Sequence, residues 1–366
     1  MFNSQIISAK NTLKHVAKLA LKYLVIITKD TNTLSSFVTI GTYKYHSRYK
    51  YLYLGHETIV VNIFKISFCI RKSLPDLLTK SGLIIIKDYE LANKIRDQVI
   101  MQPNFIEQEI ALPNTLEEYL QEITSKLRQT IKKIKKTGFT YSISTDNDWF
   151  EQFYNCYYVP SMVGRHAEDA YVMAKDEIMD LLNLPGTEFL NVFLSGVCIA
   201  SAIAIHEGDK YIYTKVGWLN GDNYYLDQGV NTAIYQLLIE RAFELGCKKI
   251  SLGGTPPFLE NGVLKFKAKW QSRFCADIYY SENYLLLDPS NSSCYEFLSK
   301  NSLVVFDLNN ILIVLSNKLI EDTQVQGNCL DDISGWFLLR SERTEIYPNG
   351  MENLPVQLRN WYDKIY

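Results

Sequence analysis

Between positions 229 and 270 the sequence places several parts that suit chemistry on an activated carbonyl. Gly229-Val230-Asn231 opens a helix-like run to Leu245 and Gly246. The short strand Lys248 to Leu252, the turn Gly253-Gly254-Thr255-Pro256-Pro257 and the segment Val263-Leu264-Lys265-Phe266-Lys267-Ala268-Lys269-Trp270 follow. A helix start has amide groups without internal partners and can receive a pyrophosphate, phosphate or carboxylate. The paired glycines expose backbone, and the last segment is a cationic-aromatic arm. In this order they suit transfer of an acyl group.

Other candidates flank this stretch. In Tyr211 to Gly217, strand alternation puts Tyr211, Tyr213 and Lys215 on one face and Ile212, Thr214 and Val216 on the other, giving a hydroxyl-rich cationic face. After Pro160, the segment Ser161-Met162-Val163-Gly164-Arg165-His166 reads as a loop, and the Arg165 fork matches carboxylate or phosphate geometry. His206-Glu207 falls at an expected hairpin turn, and His15, His46 and His56 have no evident partner. The sequence shows no Ser-His-Asp order, metal-ligand cluster or Walker loop, which argues against hydrolase, metalloenzyme and kinase readings and against a metal.

The elements that must position these residues follow from periodicity. Ile234, Leu237, Leu238, Arg241, Ala242 and Leu245 recur at three- and four-residue steps, with Asp227 or Asn231 near the start and Gly246 past the end, predicting a helix. Glu188–Leu194, Val197–Ile205 and Tyr211–Gly217 read as a three-strand meander turning at Ser195-Gly196 and Glu207-Gly208-Asp209. Leu116, Leu120, Ile123, Leu127, Ile131 and Ile134 predict one long helix stopped by Gly138, whose other face carries Lys126, Arg128, Lys132, Lys133, Lys135 and Lys136. That face suits phosphate, whether of a cofactor, a lipid headgroup or RNA, or is simply a solvated helix surface.

Upstream, residues 24 to 70 alternate apolar and polar positions as antiparallel strands do, including Tyr43, Tyr45, Tyr49, Tyr51 and Tyr53. Leu83–Ile86 and Phe105–Ile110 read as strands, and Glu90–Val99 as a helix. Tyr141–Ser144 reads as a strand, and Asp148–Tyr158 and Asp176–Leu182 as helices. Beyond 285 the pattern weakens: 303 to 315 gives one apolar segment, and Trp336-Phe337-Leu338-Leu339 and Trp361-Tyr362 suggest that part of this appendage packs.

Composition sets limits. A chain of 366 residues with 47 % hydrophobic residues has enough material for two domains or one large fold with a tail. A net charge of −2 provides no global field for DNA, so anion contacts need a local patch. Seven cysteines, an odd count without CxxC spacing, fit reduced thiols and predict a cytoplasmic protein. Met1 to Lys22 reads as an amphipathic helix rather than a signal peptide, and no run reaches the length of a membrane span.

These elements resemble the GNAT-fold acyltransferases of the Fem-like group, which includes peptidoglycan aminoacyl (peptidyl) transferases and acetyltransferase-like proteins of polysaccharide clusters. The resemblance covers about 115 to 280 and rests on Ser125–Gly138, the Arg165 loop, Tyr213-Thr214-Lys215-Val216-Gly217 and Ser251-Leu252-Gly253-Gly254 through Phe266-Lys267. It implies an α/β (α+β) fold of tandem GNAT-like halves with mixed, mostly antiparallel sheets flanked by helices. The degenerate first half would span 1–140, the acyltransferase half 141–285 and the appendage 286–366.

The resemblance gives Lys267 its role, and the residues themselves suggest the others. Lys267, matching the group's Phe-Lys element, would polarise the transferred carbonyl together with a backbone amide beside Val216 or Gly217. Tyr213, Asp227 and His166 are candidates for the base, with water as an alternative relay and a helix cap as another reading of Asp227. Arg165, Lys215, Lys265 and Trp270 would contact substrate, and Gly229, Val230 and Asn231 the donor's phosphates.

Coenzyme A-dependent GNAT enzymes usually carry Arg/Gln-x-x-Gly-x-Gly/Ala before the helix, where this chain has Leu226-Asp227-Gln228-Gly229-Val230-Asn231. The donor is then acyl-coenzyme A on a thinner site, an acyl carrier protein, or an aminoacyl-tRNA, and the acceptor a small molecule, sugar or peptide. A non-catalytic binding module on the same fold is the third reading.

Overall fold

The computed structural model describes residues 24–29, 36–41, 58–61, 83–86, 92–93, 95–166, 172–275, 282–288, 292–317, 328–333, 335–339, 344–346 and 355–356. The expected Met1–Lys22 helix, the Tyr43–Tyr53 alternation and Trp361-Tyr362 lie outside these residues.

In chain order the strands are β1 (Leu24–Lys29), β2 (Ser36–Gly41), β3 (Thr58–Val61), β4 (Leu83–Ile86), β5 (Ile100–Pro103), β6 (Ile106–Ala111), β7 (Thr140–Ser144), β8 (Thr187–Leu194), β9 (Val197–Glu207), β10 (Lys210–Trp218), β11 (Lys249–Thr255), β12 (Arg273–Cys275), β13 (Glu282–Leu287), β14 (Leu303–Phe306), β15 (Leu312–Ser316), β16 (Gly335–Leu339) and β17 (Thr344–Ile346). The helices used below are α1 (Leu116–Glu122), α2 (Ser125–Thr137), α3 (Trp149–Gln152), α4 (Val159–His166), α5 (Lys175–Leu182), α6 (Asn223–Asp227), α7 (Val230–Glu244), α8 (Gly262–Ala268) and α9 (Ser292–Lys300).

A six-stranded sheet runs β3-β1-β2-β4-β13-β5, a seven-stranded sheet β12-β6-β11-β10-β9-β8-β7, and a four-stranded sheet β14-β15-β16-β17. The first two repeat one pattern. From β5 the pairings are antiparallel, antiparallel, parallel, antiparallel, antiparallel. From β12 the same sequence recurs, followed by one more antiparallel strand. This is a mixed, mostly antiparallel α/β architecture in two similar halves.

The halves interlock across the expected division at 140. Consecutive strands β5 and β6 enter different sheets, β6 lying between β12 and β11. Consecutive strands β12 and β13 do the reverse, β13 lying between β5 and β4. The segment after 285 is likewise built into the body: Leu303, Val305, Ile313 and Leu315 share a core with Leu83, Ile100 and Leu285. The apolar run at 303–315 is a hairpin of two strands, β14 and β15.

The main core lies between α2, α7 and one face of the seven-stranded sheet, where Ile131, Ile234 and Leu238 meet Leu190, Ala202, Tyr211 and Ile250. Buried Glu188 of β8 accepts from Tyr211 Oη at 2.6 Å and from Arg241 Nε and Nη2 at 3.0 Å each, joining β8, β10 and α7. Burial and the Glu188 bond push the Tyr211 hydroxyl well above its ordinary range, and the same carboxylate raises Arg241.

Local chemistry overrides two sequence expectations. The single helix expected over Leu116–Ile134 breaks at Thr124, which is extended and whose Oγ1 accepts from Leu127 N, starting α2 as a new helix. Arg128 Nη1 spans the break, donating to the carbonyls of Leu120, Gln121 and Ile123. The loop expected at Ser161–His166 is instead α4, continuous with α3 through a π-helix over Phe153–Tyr158. Pro160 is tolerated because the widened π-turn precedes it, where its ring would meet the carbonyl four residues back. Within the expected helix Glu90–Val99, Ala92 and Asn93 are helical and Arg96–Gln98 form a 3-10 turn. No helix among the described residues is long and apolar enough to cross a membrane.

Candidate functional site

β10 and β11 are parallel neighbours through only three registered pairs, Lys210–Lys249, Tyr211–Ile250 and Ile212–Ser251, and then part. Both limbs are irregular where they separate. β10 bulges against β9 between Tyr213 and Lys215, and β11 shifts register against β6 between Ser251 and Gly254. Gly253 takes φ +72°, the left-handed region, and a Cβ there would lie 3.4 Å from the Tyr213 carbonyl oxygen. A fork thus opens in the middle of the sheet.

The chain leaving β10 runs through a 3-10 turn at Leu219–Gly221 and α6 into α7. Gly229, at φ +87°, is the N-cap and makes no side-chain cap bond. Asp227 is the exposed last residue of α6 and does not cap α7. Val230 is buried and Asn231 half-buried. A Cβ on Gly229 would stand 2.3 Å from Ile134 Cδ1, so α2 crosses directly over the start of α7. On the outer side of α2, Lys126, Lys132, Lys133 and Lys136 are exposed, while Lys135 pairs with Glu240 at 3.2 Å.

Aromatic rings occupy the α7 side of the fork. Tyr235 is their hub: Tyr213 meets it edge-on at 5.4 Å, Phe266 edge-on at 5.0 Å, and Trp270 stacks on it at 5.5 Å. Trp270 is buried and its carbonyl accepts from Tyr119 Oη at 2.8 Å, so it packs as core. Thr214, Lys215, Val216, Gly253, Gly254 and Phe266 keep partial solvent access along the two limbs.

Lys267 holds the other limb. Asn261 caps α8, its Oδ1 accepting from Val263 N and Leu264 N, and the helix buries Leu264, Lys267 and Ala268 on one face. A lysine on that apolar stripe is 4 % exposed, and Nζ donates to Gly253 O at 2.8 Å, Gly254 O at 3.3 Å and Thr255 Oγ1 at 2.8 Å. Burial lowers its pKa to about 7, against the opposing pull of Glu107. The cation therefore faces the carbonyls of β11, with each of its three hydrogens engaged. Glu107 accepts from Ser251 Oγ, and from Lys210 Nζ at 3.3 Å.

The π-helix covers β10 from the opposite face. A Cβ on Gly217 would lie 2.2 Å from the carbonyl carbon of Tyr157, so two backbones touch there. Buried Ser161 of α4 accepts from Trp218 N at 2.8 Å and donates to Trp218 O at 3.2 Å, taking the open-edge hydrogen bonds of that residue.

The structure thus gathers Tyr213, Val216, Gly217, Gly229, Val230, Lys267 and Trp270 around the fork, with Lys265 half-exposed on α8. The bulge after Tyr213 turns Lys215, opposite Ile203, to the other face of the sheet and brings Val216 to the Tyr213 face, against the shared Tyr211-Tyr213-Lys215 face that plain alternation predicts. Lys215 Nζ donates to Thr214 O at 3.4 Å. Arg165 and His166 close α4, and their side chains lie outside the described residues. Sequence reasoning gave Ser161 and Thr255 only as members of a loop and a turn, and missed Glu107 and Gln108. The last was detectable, since alternation sets Gln108 between Ile106 and Ile110 on one face of β6, and a polar residue on an apolar face signals a buried network.

No family model and no curated protein matches the chain. Among solved structures, FemX aligns over 75 % of this chain and 86 % of its own, at 11 % identity and TM-score 0.39. L-PGS from Bacillus licheniformis aligns over 72 % and 80 %, at 13 % identity and TM-score 0.36. A GCN5-related N-acetyltransferase from Sphaerobacter thermophilus aligns over 71 % and 74 %, at 10 % identity and TM-score 0.33.

Proposed function

We propose that the protein is an acyltransferase that moves an acyl group from a thioester, acyl-coenzyme A or carrier-bound, to an amine or hydroxyl of a small molecule, sugar or peptide. The observation that carries this reading is the fork itself, where β10 loses its β11 partner after Ile212 and leads into a helix whose start is capped only by glycine backbone. Trp218 N–H points off the β9 side to Ser161, and alternation along the strand puts the Val216 N–H on that same edge. An extended donor lying there meets the Val216 amide, with its phosphates toward the first turn of α7.

The acceptor's lone pair attacks the thioester carbon, the carbonyl oxygen gains negative charge, and the C–S bond then breaks. The leaving thiolate takes up the proton that the acceptor releases, with water or Tyr213 relaying it. The Val216 amide faces the developing oxyanion, and Lys267 contributes positive charge from the β11 side. Direct contact between Lys267 and substrate costs it one of its three present bonds. Partial exposure of Lys215 and Lys265 supports their use as substrate contacts, and the place of Arg165 and His166 at the end of α4 supports testing them alongside.

A second reading, aminoacyl-tRNA as donor, is favoured by one specific feature: the exposed lysines of α2 sit on the helix whose Ile134 crosses the start of α7. The test is thiol release from a panel of acyl-coenzyme A and carrier thioesters in the presence of amine and hydroxyl acceptors, run beside labelled aminoacyl-tRNA. Acceptor-dependent release that disappears in folded Lys267→Met and Tyr213→Phe supports the reading. Absence of transfer from every thioester and from aminoacyl-tRNA overturns it.

A further inference from the structure

We infer that Gln108 is a positioning residue for Lys267, acting through the hydroxyl of Thr255. The inference deepens the role proposed above for Lys267, and its geometry spans β6, β11, α8 and the turn at 328–332.

Thr255 Oγ1 has one proton, and donates it to Gln108 Oε1 at 2.9 Å. Its lone pair is thereby committed to receiving Lys267 Nζ at 2.8 Å. The Gln108 amide is fixed in turn: Nε2 donates its two hydrogens to Ser272 Oγ at 3.1 Å and Leu264 O at 3.3 Å, with Cys329 Sγ 3.5 Å away. Turning the amide over would set Oε1 against the Leu264 carbonyl and Nε2 against the Thr255 hydroxyl, which would then have to point its proton elsewhere. Cys329 closes the chain by donating to Ser272 O at 2.9 Å. Gln108, Thr255, Ser272 and Cys329 are all fully buried, so no water competes for these bonds.

Every bond from Lys267 through Thr255 and Gln108 runs donor to acceptor in the same sense, away from the amine. Such a chain favours the charged form of Lys267 and offsets part of the burial that disfavours it. The ionisable groups facing Lys267 from the neighbouring elements are Glu107 on β6 and the Cys329 thiol on the 328–332 turn. Burial pushes that thiol up to about 11, so it is neutral where Lys267 titrates.

The test is an NMR titration of the lysine side-chain carbons in the full-length protein between pH 5 and 10, the Lys267 signal being assigned by its loss in Lys267→Met. Gln108→Leu should lower the Lys267 midpoint by about one unit, the worth of roughly one hydrogen bond. Thr255→Val should lower it similarly, and Gln108→Glu should raise it. Folding is checked on each variant by thermal unfolding; if Gln108→Leu does not fold, Thr255→Val and Gln108→Glu decide. Unchanged midpoints in folded variants overturn the inference, because a side chain that merely fills space alters stability without moving the titration of Lys267. Midpoint shifts together with full acyl transfer by Lys267→Met would uphold the positioning network while removing Lys267 from the proposed reaction.

Discussion

The ammonium of Lys267 sits 2.8 Å from the carbonyl oxygen of Gly253, the left-handed residue whose backbone approaches Tyr213 on the opposite limb of the fork. One buried cation therefore fixes the shape of the only parallel junction in the seven-stranded sheet. It does so without a carboxylate within salt-bridge distance among the described residues, and burial accordingly pulls its pKa down from 10.5 to about 7.

The pH dependence of folding follows from that shift. Below about pH 7 Lys267 is charged in both states and the folded protein bears the full cost of burying the cation. Between about 7 and 10.5 the unfolded chain still holds the proton that the folded chain has released, so stability rises with pH, at up to about 1.4 kcal/mol per pH unit. Buried tyrosines such as Tyr211, whose ionisation opposes folding, make pH 7 to 9 the clean window. Urea denaturation across that window should show a rising unfolding free energy in the wild type and a flatter profile in Lys267→Met; parallel profiles would contradict the assignment.

Gly217 has no room for a side chain. A Cβ would lie 2.2 Å from Tyr157 C and 2.3 Å from Tyr157 O, both main-chain atoms that cannot turn aside. Gly217→Ala should cost at least about 1–3 kcal/mol by forcing the π-helix off β10. Gly262→Ala is the control: no atom lies within 4 Å of the added carbon and the site is in the first turn of α8, so it should be neutral or stabilising by up to about 1 kcal/mol. Equal effects in chemical denaturation would mean that the contact at Tyr157 is not tight.

Ser161 ties α4 to the end of β10. Its hydroxyl is buried and both accepts from and donates to Trp218 backbone, so Ser161→Ala removes two buried hydrogen bonds at once. A loss of about 1–3 kcal/mol is expected, together with faster hydrogen exchange of the Trp218 amide. Unchanged exchange at Trp218 would show that this amide is held by something else.

Much of this arrangement was legible in the sequence because it is local. The Ser195-Gly196 and Glu207-Gly208 turns and the apolar steps of Ile234, Leu238 and Ala242 are short-range signals, and β8, β9, β10 and α7 form where they point. Thr124 shows the limit of periodicity: the apolar spacing runs on through Ile123 and Leu127, yet a hydroxyl able to cap a helix divides it. The interlocking of the halves depends on pairs such as Ile106 with Thr255 and Tyr284 with Ile86, whose partners no local pattern identifies. Lys267 drew attention as a cation in an aromatic segment, but only the fold shows that it turns inward to carbonyls of its own chain. The side-chain network behind it depends on the turn at Cys329, in a segment whose sequence pattern is weak.

The donor can be identified through α2. Thioester and tRNA readings share the fork and differ in how much polyanion must be held beside it, and Lys126, Lys132, Lys133 and Lys136 lie on the outer side of α2, opposite buried Leu127, Ile131 and Ile134. Changing all four lysines to glutamine leaves that core side untouched, so folding should be preserved. If the donor is an aminoacyl-tRNA, the variant should bind it more weakly and with a shallower dependence on salt, each lost phosphate contact removing close to one unit from the slope of log K against log salt. If the donor is a thioester on coenzyme A, it should bind wild type and variant alike, because the proposed seat of its phosphates is the first turn of α7 and not α2, and at a hundredfold excess over its dissociation constant it should add about 2.7 kcal/mol to the stability of both. Thermal unfolding with acyl-coenzyme A and filter binding with aminoacyl-tRNA, each at two salt concentrations, separate the readings: stabilisation of both proteins by the thioester rules for the first, and a salt-sensitive loss confined to tRNA rules for the second.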